Sequence, residues 1–155
     1  MRKSEREIKD FDKIIDIIKN TNTIRLGLND EPYPYVVPVS FGFDVKEDKL
    51  SFYFHGATIG KKVDLINKNP LVCVEGDIFY RYMDTIKSVT CLYDSFIAYG
   101  KCVKLTGNDA IYGLKQILDH CNYKDHPFNT NALSIVNVYK IEIDSITAKH
   151  RTKNN

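Results

Sequence analysis

Residues 35–55 read YVVPVSFGFDVKEDKLSFYFH, a stretch in which β-branched and aromatic residues recur in short runs. The polar segment at 46–48 separates two of these runs and has the composition of a turn. Similar runs lie on both sides of the stretch. The predicted strands are 23–28, 33–40, 41–45, 50–55, 71–75, 88–93, 96–105 and 135–146, with 88–93 and 96–105 forming either two strands or one long bent strand.

Helical patterns occur in three segments. Residues 4–22 begin with the capping box Ser4-x-x-Glu7 and continue with apolar residues at helical spacing, while residues 60–68 stop before Pro70. A third helix is expected over residues 108–118, with Asn108 as its N-cap. The strands do not alternate with helices, which disfavours a doubly wound sheet. A mainly β antiparallel barrel of six or more strands, flanked by about three helices, is therefore predicted.

Length and composition indicate one globular domain. At 155 residues and 43% hydrophobic content, residues 1–155 can bury a core, with a packing helix at 1–22 and a polar tail at 149–155. The 22 basic and 20 acidic residues give a net charge of +2, which argues against a nucleic-acid partner. Because no long apolar run is present and residues 1–7 are highly charged, we expect no membrane association and a cytoplasmic location.

Neither the cysteines nor the carboxylates have the spacing of a metal site. The four cysteines lack a Cys-x-x-Cys pair, and we interpret them as reduced thiols without a chemical role. The acidic and aromatic segment 75–84 is interpreted as a solvated loop, because its carboxylates lack ligand spacing and a nearby histidine. No metal is predicted.

The strongest functional signal follows the strand at 50–55. His55 and Gly56 end that strand, and Gly60, Lys61 and Lys62 then open a helix. Backbone N–H groups, the helix dipole and two ammonium groups could converge there on one phosphate. The same residues also occur at ordinary solvated helix starts, so the pattern alone leaves both interpretations open.

The proline-containing run at 33–40 lies one hairpin earlier. Pro34 and Pro38 cannot donate ladder hydrogen bonds, so this strand is expected at an edge, at a bulge, or facing a ligand. In a meander, residues 35–43 would pair with residues 50–55 and bring their main chain beside the same loop.

Three ordered motifs carry a family resemblance. They are Pro-Tyr-x-Val-Pro-Val-Ser-Phe-Gly at 34–42, Phe-His-Gly-Ala-x-x-Gly-Lys-Lys at 54–62, and Asp-Leu-Ile-x-x-Asn-Pro at 64–70. Together they resemble the nitroimidazole-resistance group of the pyridoxamine phosphate oxidase-like, flavin-binding split barrels. The resemblance extends over nearly the whole chain.

The resemblance implies a six-stranded antiparallel split β-barrel that forms a homodimer and binds FMN, or FAD in some members, in a cleft shared by two subunits. It implies that the main chain of 36–40 faces the isoalloxazine ring and that Lys61 and Lys62 hold the phosphate. Tyr93 and Ser95 match a strand that commonly reaches the flavin from the partner subunit. The implied cofactor-binding set is Val36, Val37, Pro38, Val39, Ser40, Phe54, His55, Gly56, Gly60, Lys61, Lys62, Tyr93 and Ser95.

The implied activity is that of a flavin-dependent oxidoreductase that acts on a small molecule, such as a nitroimidazole or another nitroaromatic compound. His55 is the candidate catalytic residue, because an imidazole can transfer a proton near neutral pH. The chain departs from the family in having no Trp and in carrying Asp94 where Trp or Arg is frequent. The alternative is a non-catalytic flavin or haem binding or sensing module. Pyridoxamine phosphate oxidation is disfavoured, because the Arg-rich phosphate-binding segments of that enzyme are absent.

Overall fold

A computed structural model describes residues 3–127 and 133–151 of the chain. A 3₁₀ turn at Ser4–Arg6 precedes the other elements. In chain order these are β1 (Glu7–Ile8), α1 (Phe11–Asn20), β2 (Ile24–Leu28), β3 (Tyr35–Val39), β4 (Gly42–Lys46), β5 (Lys49–Ala57), α2 (Lys61–Lys68), β6 (Leu71–Asp84), β7 (Val89–Leu105), α3 (Gly107–His120) and β8 (Val136–Arg151).

The strands form one antiparallel sheet in the order β3-β2-β6-β7-β8-β5-β4, and β1 pairs with β8. The two end strands, β3 and β4, are separated in the chain only by Ser40 and Phe41, so the sheet curls until its ends are neighbours. Within the described residues no pairing joins β3 to β4, so the barrel is split at this seam. The predicted mainly β barrel with three helices is confirmed, with eight described strands where the resemblance implied six.

Side chains fill the interior of the barrel. Phe52 of β5 stacks on Phe96 of β7 with ring centroids 5.8 Å apart, and both side chains are fully buried. Helix α1 covers one end of the barrel with Ile14, Ile17 and Ile18. This interior therefore has no room for a large ligand, and a binding site must lie on the wall or at the seam.

The predicted start of the first helix is wrong. Ser4 lies in the 3₁₀ turn and Glu7 pairs with Lys149 of β8, so the expected capping box does not form. Helix α1 begins at Phe11, and the carboxylate of Asp10 caps it by accepting the N–H of Asp12 at 3.1 Å. The backbone N–H and C=O groups of β1 form hydrogen bonds with β8, so they do not need a longer helix to satisfy them.

The predicted loop at 75–84 is also wrong, because this segment forms the last ten residues of the 14-residue strand β6. It pairs with β7 from Asp77, opposite Ser95, to Asp84, opposite Val89. Strand β7 is continuous, with a register shift against β8 between Tyr99 and Gly100, which matches the bent-strand alternative. A long hairpin has thus replaced the predicted loop, because each strand satisfies the other's backbone groups.

Several boundaries differ from the prediction. The N-cap of α3 is Thr106 rather than Asn108, and β8 continues to Arg151, through residues 149–151 of the predicted polar tail. Residues 121–127, after α3, are turns and coil, and the end of the predicted tail lies outside the described residues. The longest described helix, α3, has 14 residues, and no described helix is long and apolar enough to cross a bilayer.

Candidate functional site

The first wall of the candidate site is β3, one of the two edge strands at the seam. Its five residues pair with β2 on one side, and the described residues place no strand on the other side. Pro38 therefore lies in an edge strand, the first of the predicted alternatives, opposite Arg25 of β2, whereas Pro34 precedes the strand. The predicted pairing of residues 35–43 with β5 is wrong for β3 and holds only for Gly42 and Phe43, which begin β4 opposite Tyr53 and Phe52. The free edge of β3 leaves backbone N–H and C=O groups available to a ligand.

The second wall is the end of β5. Pairing with β4 reaches only to Tyr53, so His55, Gly56 and Ala57 are paired with β8 alone. Phe54, immediately before them, is fully buried and stacks on Tyr139 of β8 with ring centroids 5.0 Å apart. The end of β5 is thus fixed by β8 on one side and open on the other.

Helix α2 begins beside both walls. Gly60 is its N-cap with a φ of 123°, a value that L side chains rarely adopt, and no side chain caps the helix. The helix is anchored by Leu65 and Ile66, which are buried. Its first residues, Lys61 and Lys62, point to different walls, and their surroundings differ.

The ammonium group of Lys62 lies against β5. Its Nζ is 5.3 Å from the ring centroid of Phe54, and a Cβ added at Gly56 would lie 2.8 Å from that Nζ. Glycine at position 56 therefore provides the space that the ammonium group occupies. Burial lowers the pKa of Lys62, and no described carboxylate forms an ion pair with it. This is a partly buried cation without an anion.

The ammonium group of Lys61 lies against β3. Its Nζ is 2.7 Å from Oδ2 of Asp30, in the loop before β3, and 5.3 Å from the ring centroid of Tyr35. The ion pair lowers the pKa of the Asp30 carboxyl group. Unlike Lys62, this lysine is already neutralised.

We call the space between the free edge of β3, the end of β5 and the start of α2 the cleft, and His55 lies on its β5 side. Its side chain is exposed, yet the protein around the imidazole removes enough water to lower its pKa from 6.5, and the charge of Lys62 lowers it further. The imidazole is consequently neutral at pH 7. A neutral imidazole has one donor and one acceptor nitrogen, so it can give or take a hydrogen bond at this position.

A buried amide supports the loop between β5 and α2. Asn137 of β8, which is 5% exposed, donates from Nδ2 to the backbone oxygen of Thr58 at 3.3 Å and to the hydroxyl of Tyr139 at 3.2 Å. Sequence reasoning missed Asn137, which has no local signal beyond being a polar residue in an apolar strand. It also missed Asp30, although Asp30 stands in the turn directly before the proline-containing strand.

Tyr93 and Ser95 do not join this cleft within one subunit. Cys102 marks the part of β7 that is near the cleft, because the charge of Lys62 acts on the pKa of its thiol. Ser95 lies seven residues before Cys102 on the same strand. At about 3.3 Å per residue this separation is about 23 Å. The other predicted residues lie in three places, which are β3 with the residue after it, the end of β5 and the start of α2. They are Val36, Val37, Pro38, Val39, Ser40, Phe54, His55, Gly56, Gly60, Lys61 and Lys62.

Cys102 has no evident chemistry. Burial raises the pKa of its thiol to about 12, so the reactive thiolate is scarce at neutral pH. In the described part of the chain, no group of three or more His, Cys, Asp or Glu side chains could hold a metal ion.

The antiparallel barrel is open between β3 and β4 and has two lysines beside that seam, so the protein belongs to the class of split-barrel proteins. The chain belongs to the pyridoxamine 5'-phosphate oxidase family, whose sequence profile matches residues 10–150. No protein of curated function matches the chain.

Solved structures resemble the fold over nearly the whole chain. A candidate 5-nitroimidazole antibiotic resistance protein from Bacteroides thetaiotaomicron is 25% identical, with a TM-score of 0.82 over 92% of this chain and 85% of that chain. A flavocytochrome from Azotobacter vinelandii is 16% identical, with a TM-score of 0.80 over 98% of this chain and 72% of that chain. An FAD and heme binding protein from Mycobacterium smegmatis is 15% identical, with a TM-score of 0.77 over 94% and 73%.

Proposed function

We propose that the protein binds a flavin in the cleft between the free edge of β3 and the end of β5. The observation that carries this proposal is the ammonium group of Lys62, which lies partly buried against Gly56 without a carboxylate partner. Removing a cation from water is costly unless an anion compensates it. A flavin phosphate would supply that anion at the start of α2, whose N-terminal backbone dipole also favours negative charge.

The residues of the cleft fit the rest of such a ligand. The open edge of β3 offers backbone donors and acceptors to the polar edge of an isoalloxazine ring, and His55 offers a neutral imidazole. FMN is the proposed cofactor because its single terminal phosphate matches a single unpaired lysine. FAD is the alternative, and the resemblance to a flavocytochrome and to an FAD and heme binding protein supports a fold that accommodates such groups.

The proposed activity is that of an oxidoreductase acting on a flat small molecule, with nitroimidazole and other nitroaromatic compounds as the substrate class. The similarity to the candidate resistance protein from Bacteroides thetaiotaomicron supports this class. A bound flavin would supply the electron transfer, while the protein supplies position and electrostatics. His55 would hold a hydrogen bond near the ring, and β3 would exclude water from one edge of it.

A homodimer is proposed to complete the site. Tyr93 and Ser95 are too far along β7 to reach the cleft of their own subunit, so their implied contact requires a second copy. The outer face of the barrel also exposes Val36 by 59%, Leu71 by 56% and Tyr99 by 55%. An apolar surface of this kind is typical of a protein interface. Tyr93→Ala should therefore weaken flavin binding although the site's lysines are intact, and a monomer with full flavin occupancy in sedimentation experiments would contradict the shared site.

The absorption spectrum of the purified protein tests the function directly. Flavin bands that bleach on anaerobic addition of NADH or NADPH, and return on addition of a nitroimidazole, would support the oxidoreductase. Flavin bands that persist would favour a binding or sensing module, and a Soret band would indicate haem. If neither FMN nor FAD binds at micromolar concentration, the proposal fails.

A further inference from the structure

The ion pair between Asp30 and Lys61 places a negative charge beside the proposed phosphate position. The Asp30 carboxylate is 2.7 Å from the Lys61 ammonium group, and its side chain is 20% exposed while that of Lys61 is 58% exposed. The Asp30 carboxyl group is thus the less accessible partner, and Lys61 reaches across to it from the start of α2. Lys68, at the other end of α2, adds a further attractive charge at Asp30.

Adjacent lysines in the sequence therefore have different electrostatic roles. Lys61 is shared between a carboxylate and the face of the Tyr35 ring, whereas Lys62 faces Phe54 and the space at Gly56. Recruiting Lys61 to a phosphate would require breaking its pair and would leave Asp30 unpaired near a dianion. Like charges repel each other, and the repulsion grows as they approach. Keeping the pair intact avoids this repulsion and leaves Lys62 for the ligand.

We propose that Lys61 is a positioning residue that neutralises Asp30, that Lys62 alone binds the phosphate, and that Asp30 limits the affinity of the cleft for phosphorylated flavin. This inference rests on the proposed function. If both adjacent lysines bound the phosphate together, Lys61 would contact the ligand instead of neutralising Asp30. These two roles for Lys61 predict different results for the same variants.

A double-mutant cycle separates the two roles, with FMN and riboflavin titrated into the full chain and followed by flavin fluorescence. Lys61→Ala leaves Asp30 unpaired and should weaken FMN binding about fivefold, while Asp30→Asn frees Lys61 and should tighten it about fivefold. The decisive variant is Asp30→Asn/Lys61→Ala, which removes both charges and should return to within about twofold of the wild type. Riboflavin binding should be unchanged throughout, because riboflavin has no phosphate.

Asp64→Asn is the matched control, since Asp64 is an exposed acid in the first turn of the same helix. It makes the same change of charge as Asp30→Asn and should alter FMN binding by less than about twofold. If the double variant binds FMN as weakly as Lys61→Ala, Lys61 contacts the phosphate and the inference is overturned. If Asp30→Asn has no more effect than Asp64→Asn, Asp30 does not limit affinity and the inference is overturned as well. A wild-type chain that binds neither flavin overturns the proposed function itself, a result distinct from both.

Discussion

Gly100 in the barrel wall and Gly56 in the cleft both have a close neighbour where a side chain would stand. At Gly100 the neighbour is the backbone of Glu142 and Ile143, at the register shift between β7 and β8. At Gly56 it is the end of the Lys62 side chain. Backbone cannot move away without breaking the ladder, whereas an ammonium group on a four-carbon stem can. The same residue type therefore allows close backbone packing in one region and makes room for a lysine side chain in the other.

The largest effect is expected at the barrel wall. Gly100→Ala should lower the free energy of unfolding by about 3 kcal/mol, because the added Cβ overlaps the Glu142 carbonyl oxygen. Gly27→Ala is the control, since the new Cβ there would meet the Cys73 Cβ at an ordinary 3.5 Å, and its effect should stay within about 1 kcal/mol. Denaturant unfolding measures both, and equal losses would show that close backbone approach is not the cause.

The cleft should respond in binding rather than in stability. Lys62→Ala is expected to weaken FMN binding by about 2 kcal/mol, or about thirtyfold, because it removes a charge-assisted contact. Lys62→Met keeps the apolar stem over Phe54 and should lose as much, which separates charge from packing. Lys104→Ala, an exposed lysine on β7, serves as the control for overall charge. The affinity for riboflavin should be the same in all three variants and in the wild type. An equal loss of affinity for riboflavin would show that Lys62 does not act through the phosphate.

A smaller effect is expected from Gly56→Ala, which adds the same single methyl group in the cleft that Gly100→Ala adds in the barrel wall. The methyl would occupy the place of the Lys62 ammonium group, so FMN binding should weaken about fivefold, or about 1 kcal/mol. Unfolding should be nearly unchanged, in contrast to Gly100→Ala, because the lysine can move aside. Calorimetric titration and denaturant unfolding of the same preparation give both numbers. Destabilisation as large as that of Gly100→Ala would mean that Gly56 is structural too.

The smallest effect concerns protonation of His55. Its pKa should lie below 6.5 in the free protein, and Lys62→Ala should raise it while burial keeps it below that value. Because the folded state then binds fewer protons than the unfolded state, this group should make the fold less stable as the pH falls through 6.5. NMR titration of the imidazole measures the shift, with Lys104→Ala expected to leave it unchanged. If Lys62→Ala leaves the pKa of His55 unchanged, the charge of Lys62 does not act on the imidazole.

Local patterns predicted much of the fold. The prolines at positions 34 and 38 limited their strand to an edge, a bulge or a ligand-facing position, and β3, which contains Pro38, is an edge strand. The missing N–H that sets this limit is a property of the residue itself. The composition of residues 41–55 predicted two strands separated by a turn at 46–48, and these strands form as β4 and β5. The segment 75–84 was misread because its partner, β7, supplies the reason for it to be extended, and pairing is invisible in one strand alone.

The sequence by itself determined the class of fold, the family motifs and the start of α2 at Gly60-Lys61-Lys62, since each depends on residues close together in the chain. Only the tertiary structure decided which lysine is free. Asp30 lies about thirty positions before Lys61, and Asn137 about eighty positions after Thr58, so neither contact has a local period that a sequence could display. The charge at a site is the sum over neighbours brought together by folding, and for that reason two adjacent and identical side chains acquire different chemistry.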